Sequence, residues 1–342
     1  MKNEITLILL TLNRHHLLDN ILSFLDEFEV KIIVMDATES KFIPQFDFKN
    51  IEYYHAPGVH PLARFREATK RTQTPYTMVT ADDIYPSLSF LKKSLAFLES
   101  NPDYAAIQGK VFFNSNGKIV LRRPEAHFFQ ADADCPATRL LQFFTYYHPV
   151  FYSLQRTECL QFALDRFPEG VVDYNFCELY FALILIAQGK VATVNSFHQV
   201  ICDEPKSTKN FKSVLATSKN LVRKNKYYPE LATLKNDIVN YLVEEKGIST
   251  TKATFYVDNT MRIMMLSILP KKNKWYWMRD RPPKTFMDRI RFELNALFRR
   301  VGLPIPKPPK PRKTSIQDVL AEDPTAAEDY KRICKLIGCS HQ

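Results

Sequence analysis

The stretch that most constrains this chain is Thr74-Pro75-Tyr76-Thr77-Met78-Val79-Thr80-Ala81-Asp82-Asp83-Ile84-Tyr85-Pro86, where an apolar segment runs straight into two adjacent carboxylates and a proline turn. Tyr76, Met78 and Val79 among threonines read as a buried strand of about five residues. Pro86-Ser87 then starts a helix at Leu88. Two charged side chains beside a core strand demand a cation or a hydrogen-bond network that offsets their desolvation. Hard carboxylate oxygens suit Mn²⁺ or Mg²⁺, ions that typically join one or two carboxylates to a diphosphate. The competing reading is that Asp82 and Asp83 only fill the turn and cap the next helix.

The segments before this strand alternate between two periodicities. Residues 5–11 form a nearly continuous apolar run, the pattern of a strand buried on both faces of a parallel sheet. Leu17, Leu18, Ile21, Leu22, Leu25 and Phe28 then recur at helical spacing, and 30–36 and 51–55 read as further strands. This order predicts a doubly wound α/β sheet, in which ligands bind at the carboxyl ends of the strands. Thr11, Asp36, His55 and Asp82 all fall at strand ends. The basic helix 61–71 carries Arg64, Arg66, Lys70 and Arg71, candidates to face a diphosphate or, alternatively, a solvated face. The first half has no glycine-rich phosphate loop, which disfavours a Rossmann dinucleotide site or a Walker loop.

Downstream, residues 105–113 read as a strand, 114–118 as a hairpin turn into 119–121, 137–147 as a helix and 148–154 as a short strand. Asp173 is a natural N-cap for a helix that ends at Gly189, with Glu178 near its start and apolar residues beyond. A carboxylate so placed is either desolvated and basic or tied to a cation. A strand at 191–194 leads to His198. The net charge of +10 arises from 47 Lys+Arg against 37 Asp+Glu, and the excess gathers after residue 205, which favours anionic partners. Helices are expected at 215–226, 228–246 and 251–269, then a basic aromatic stretch around Trp275 and Trp277. That stretch suits an amphipathic helix on an anionic membrane surface, or one packed on the catalytic domain or on a second copy in a homo-oligomer. The expected division is 1–205 catalytic, 206–302 helical and basic, 303–314 a proline- and lysine-rich linker, and 315–342 a terminal helix. Six cysteines match no zinc spacing, no run approaches a membrane span, and the N-terminus reads as a strand rather than a signal peptide, so free thiols and a cytoplasmic location are expected.

Thr11-Leu12-Asn13-Arg14, Val34-Met35-Asp36-Ala37-Thr38-Glu39-Ser40 and the Asp82-Asp83 strand, in that order and spacing, resemble the N-terminal half of a family 2-type glycosyltransferase with the GT-A fold, over about residues 4–200. The resemblance implies a mostly parallel, Rossmann-like central sheet with flanking helices, followed by a helical C-terminal region. It implies nucleotide contacts for Thr11, Arg14 and Asp36. Asp82 becomes the metal carboxylate, Asp83 its neighbour on sugar or metal, and His198 a group closing over metal or diphosphate. Arg64 or Lys70 would assist the leaving diphosphate, and Glu178 would be the catalytic base with Asp173 its rival. The position two before Asp82 is Thr80 and the position two after it is Ile84, so no strict Asp-x-Asp is present. The implied reaction moves a sugar from a nucleotide-diphosphate sugar to a hydroxyl of a glycan or lipid-linked acceptor, with inversion and a divalent metal, as in surface polysaccharide synthesis. Two readings compete with it. A nucleotidyltransferase shares the metal logic but would show a glycine-rich loop near the first strand. A non-catalytic binding protein on membrane or nucleic acid leaves Glu178 without a role, and nucleic acid is the disfavoured partner.

Overall fold

The computed structural model describes residues 1–115, 117–121, 130–145, 150–169, 171, 174–202, 228–268 and 316–339. The helix expected at 215–226, the aromatic basic stretch and the linker lie outside these residues, as does Asp173. The parallel half of the sheet consists of β1 (Ile5–Thr11), β2 (Lys31–Asp36), β3 (Ile51–His55) and β4 (Tyr76–Ala81) in the order β3-β2-β1-β4. The unbroken apolar run of β1 has a plain cause, because each face of the strand meets a different core. Ile5, Leu7 and Leu9 pack with Leu18, Ile21, Leu22 and Leu25 of α1 (His15–Asp26), whereas Ile8 joins Phe65 and Ala68 of α2 (Pro61–Arg71) in the opposite core. The chain lays β1, β2 and β3 outward and then returns to the other side of β1 for β4. That reversal places the topological switch point between β1 and β4.

Beyond β4 the sheet becomes mixed. Its order continues β4-β8-β6-β9-β5, with β7 (Lys118–Leu121) paired to β6 (Tyr104–Ser115). The strand β8 (Leu154–Arg156) runs antiparallel to both β4 and β6, and β9 (Lys190–Cys202) runs parallel to β6. Three local expectations change here and one helix is added. Ile84–Pro86 is a strand, β5, paired antiparallel with β9, so Pro86 belongs to the sheet rather than to a turn. The strand expected at 191–194 extends to Cys202 because both β6 and β5 are available to satisfy its backbone. Within the stretch expected as a strand at 148–154, Val150–Tyr152 form a 3₁₀ turn, η1, and Leu154 opens β8. A further helix, α5 (Thr157–Arg166), buries Leu160, Ala163 and Leu164, a stripe legible at helical spacing.

Three helices follow β5 and β7: α3 (Leu88–Ser100), α4 (Pro136–Thr145) and, after α5, α6 (Tyr174–Gln188). α6 is apolar all round because it is enclosed: it contacts α4, α5 and α7 (Tyr228–Glu244), with α8 (Thr250–Ile268) packed beyond on α4 and α7. Arg139 of α4 donates to the carbonyls of Ile186 and Ala187 and so caps the C-terminal end of α6. No helix among the described residues is long and apolar enough to cross a membrane.

The terminal helices α9 (Ile316–Ala321) and α10 (Pro324–Leu336) pack on the central sheet and α3. Ile316, Val319, Ala326, Tyr330 and Ile333 complete the core that β1 and α1 begin. Two aspartates hold them there. Asp323 accepts from the Ala326 N–H at 3.1 Å, pairs with Lys93 at 2.5 Å and receives the Ser89 and Ser196 hydroxyls. Asp329 accepts from the Ser87 hydroxyl at 2.7 Å and the Ser89 N–H at 2.8 Å, which sets its charge on the N-terminus of α3. Burial drives the Asp323 pKa up, but Lys93 and the Ala326 N–H outweigh it and leave the carboxyl below its ordinary value. A depressed folded pKa contributes stability that is present above the unfolded value and lost as pH falls through the folded one. Asp323→Asn is therefore expected to cost about 1–3 kcal/mol near neutral pH, with the difference from wild type shrinking in acid, as urea titrations across pH would measure.

Candidate active site

At the carboxyl end of β1 the chain must leave the sheet and enter α1 within three residues, and the residues of this turn make the site. Asn13 takes a left-handed conformation, φ 57°, which asparagine tolerates better than most residues, and its N–H donates to the Thr38 hydroxyl at 2.8 Å. This geometry sends Arg14 toward β4 and His15 toward β2. The Thr11 hydroxyl donates to Asp82 Oδ2 at 2.6 Å. Arg14 Nη1 lies 2.6 Å from Asp82 Oδ1 and 3.0 Å from Asp83 Oδ2. On the other side, His15 Nε2 lies 2.6 Å from Asp36 Oδ2, which also accepts from the Tyr53 phenol at 2.6 Å, while Asp36 Oδ1 accepts the Thr38 N–H at 2.8 Å. Phe42 stands 5.4 Å from the His15 ring and 6.0 Å from Tyr53, centroid to centroid.

The two aspartate centres differ electrostatically. Burial raises the Asp36 pKa, but the hydrogen bonds from Thr38, Tyr53 and His15 prevail and leave it below the ordinary carboxylate value. Asp82 is 3% exposed, and there burial wins: its pKa is raised in spite of the Thr11 and Arg14 contacts. The Arg14 guanidinium, which burial disfavours, is held above its usual value by Asp82 and Asp83. The reading of the two aspartates as helix caps is overturned, since the N-cap of α3 is Ser87, whose Oγ accepts the Phe90 N–H. Asp82 and Asp83 instead form the tip of the turn between β4 and β5. Thr80, where a strict Asp-x-Asp would carry its first aspartate, donates to the Ile84 carbonyl at 3.4 Å and closes that turn.

The sequence candidates divide. Thr11, Arg14, Asp36, Asp82 and Asp83 converge at the carboxyl ends of β1, β2 and β4. Arg64 is turned into the protein. It is 3% exposed and donates through Nη1 to the carbonyls of Thr11 and Met35, a clamp between β1 and β2. Lys70 is carried away from the site. It lies in the last turn of α2, about 9 Å along the helix from Arg64, and is exposed at the end remote from the strand termini. His198 is 1% exposed on β9, its ring 4.1 Å from that of Phe90 and its Nδ1 receiving the Gly109 N–H at 3.4 Å, so it lies in the packing beneath α3 rather than with Asp82. Glu178 is half-buried in the second turn of α6 and accepts from the Tyr152 hydroxyl at 3.2 Å. Tyr152 belongs to η1, which packs on both β4 and α6. Sequence reasoning missed His15, Tyr53 and Phe42. The adjacency of His15 to the Arg14 turn was the one available signal, because Tyr53 reaches Asp36 only through the β2–β3 pairing and Phe42 joins the cluster only through its contacts with His15 and Tyr53.

A divalent cation bridging Asp82 and Asp83 would stand about 2.0–2.6 Å from their oxygens. Nη1 of Arg14 already sits between those oxygens. Among the described residues no three His, Cys, Asp or Glu side chains are close enough to hold an ion. In this arrangement the residues do not fit a bridging metal.

No known family model and no curated protein matches the chain. Among solved structures, residues 1–349 of TarS from S. aureus align over 96% of this chain and 91% of that one at 14% identity, with a TM-score of 0.45. The same TarS segment in complex with UDP-GlcNAc aligns over 99% and 93% at 14% identity, with a TM-score of 0.44. The bifunctional IspDF from Campylobacter jejuni aligns over 59% and 50% at 13% identity, with a TM-score of 0.32.

The reassignment of the two α2 cations is directly testable. Arg64→Met removes donors from two buried carbonyls and is expected to cost about 2–3 kcal/mol in chemical denaturation. Lys70→Ala is expected to change neither stability nor ligand affinity.

Proposed function

We propose that the protein is a glycosyltransferase that moves a sugar from a nucleotide-diphosphate sugar to a hydroxyl of a glycan or lipid-linked acceptor, with inversion. The observation that carries this reading is the convergence of Thr11, Arg14 and His15 with Asp36 on one side and Asp82–Asp83 on the other, at the switch point of a doubly wound sheet. Asp36 ends β2 and Asp82 directly follows β4, two strand spacings apart or about 10 Å, which is the length scale of a nucleoside joined to its phosphates. The His15 and Tyr53 side chains, both held by Asp36 and backed by the buried Phe42 ring, are the groups that meet the base and ribose. The diphosphate then falls at Arg14 and the sugar beyond it, over the Asp82–Asp83 turn.

Glu178 acts as the general base, with Tyr152 orienting its carboxylate. The acceptor oxygen forms its bond to the anomeric carbon as Glu178 takes the hydroxyl proton. The bond from that carbon to the phosphate oxygen breaks, and the nucleoside diphosphate leaves with the electron pair.

Calorimetry with a panel of nucleoside diphosphates, followed by product analysis with the corresponding sugar conjugates, tests the assignment. Glu178→Gln is expected to lower kcat by about 10²-fold or more while the donor Kd stays within a factor of two or so, since the change removes a proton acceptor and not a donor contact. Transfer of a nucleotidyl group, or no binding of any nucleotide, would reject the reading.

A further inference from the structure

We propose that Arg14 is the resident cation of the Asp82–Asp83 turn, and that it takes the place a divalent metal would otherwise fill between the two carboxylates. The claim begins from geometry. Nη1 is within hydrogen-bond distance of one oxygen from each aspartate, and a metal ion joining the same two oxygens would have to overlap it. The remaining Asp82 oxygen is engaged by the Thr11 hydroxyl at 2.6 Å, so both oxygens of the more buried carboxylate are already bonded within the protein.

Tethering adds to the effect. The guanidinium reaches the carboxylates from a backbone held by the Asn13 N–H on Thr38 and by the start of α1, so it competes at high local concentration and needs no dehydration of an incoming ion. A divalent ion must strip water, displace Arg14 and leave that guanidinium half-buried without its carboxylates. The other Asp82 neighbours explain why a single positive charge suffices. Thr11 supplies a neutral donor, and Asp83, whose side chain is 21% exposed, keeps partial access to water.

Both contacts to the aspartates are made through Nη1, which leaves the opposite edge of the planar guanidinium directed elsewhere. An arginine fork matches phosphate geometry through two parallel N–H groups. Arg14 thereby serves as the group that meets the diphosphate in the glycosyl transfer proposed above, and this part of the inference rests on that reading. The charge developed on the leaving diphosphate is met by a protein cation whose position is set before substrate arrives.

The full-length protein, stripped of metal, is titrated with Mn²⁺ and followed by electron paramagnetic resonance. Wild type is expected to bind Mn²⁺ no more tightly than Asp83→Asn, whereas Arg14→Gln, which frees both carboxylates, is expected to gain at least about tenfold in affinity. Arg14→Lys keeps the charge and is expected to remain like wild type. Binding of a nucleoside diphosphate to wild type is expected to be the same with EDTA as with Mn²⁺. The proposal is overturned if wild type binds Mn²⁺ at least about tenfold more tightly than Asp83→Asn, or if an Arg14→Gln protein that melts cooperatively gains no affinity. It is also overturned if nucleotide binding disappears in EDTA. Should no nucleotide bind under any condition, the glycosyltransferase reading fails, and the Mn²⁺ titrations still decide the role of Arg14. The comparison of wild type with Asp83→Asn stands even if Arg14→Gln does not fold.

Discussion

The burial of the Asp82 carboxylate beside the end of β1 is the constraint on which the rest of this structure depends. A carboxylate so enclosed is costly unless its oxygens are met, and here they are met from a single short segment of another strand. Thr11 is still in β1 and Arg14 immediately precedes α1, so the compensation exists only while β1 and β4 remain paired in register, Leu10 opposite Ala81. A buried ion pair of this kind is weak evidence for added stability. Its consequence is positional: it fixes the Asp82–Asp83 turn against the start of α1. Arg64 supports the same corner from behind by bonding the carbonyls of Thr11 and Met35.

The turn is anchored on its other side as well. β5 leaves the two aspartates and pairs with β9, and the Cys202 N–H donates to the Asp83 carbonyl at 2.8 Å. α3 begins directly after β5, and its N-terminus is pinned by Asp329 from the far end of the chain. Residues separated by about two hundred and forty positions thus share one structural unit. The C-terminal helices contribute apolar surface to the core that β1 and α1 begin and charge to the start of α3.

Much of this was legible in the sequence for identifiable reasons. β1 and β2 are nearly continuous apolar runs because both faces are buried, β4 interleaves its buried apolar residues with threonines, and neither pattern needs knowledge of partners. The aspartates at strand ends followed from the same reading. What escaped was whatever depended on a distant partner. Arg64 and Lys70 look equivalent on a basic helix, and only the packing of α2 against β1 and β2 buries one and exposes the other. The family resemblance implies a ligand role for His198, yet the pairing of β9 with β6 and β5 sends it beneath Phe90. β5 was hidden by its proline, which is tolerated because three residues at the edge of the sheet need few backbone donors.

The sequence by itself determined the local elements: apolar runs that must be buried strands, a stripe that must be an amphipathic helix, and carboxylates placed where a strand ends. These are properties of short segments, set by side-chain sterics and hydrophobic period. Only the tertiary structure decided which charges meet. The meeting of Arg14 with Asp82, of His15 and Tyr53 with Asp36, and of Asp323 with Lys93 depends on strand order and on where the chain returns. Electrostatic compensation is set by distances of a few ångströms between residues far apart in the chain, and a one-dimensional pattern does not contain those distances.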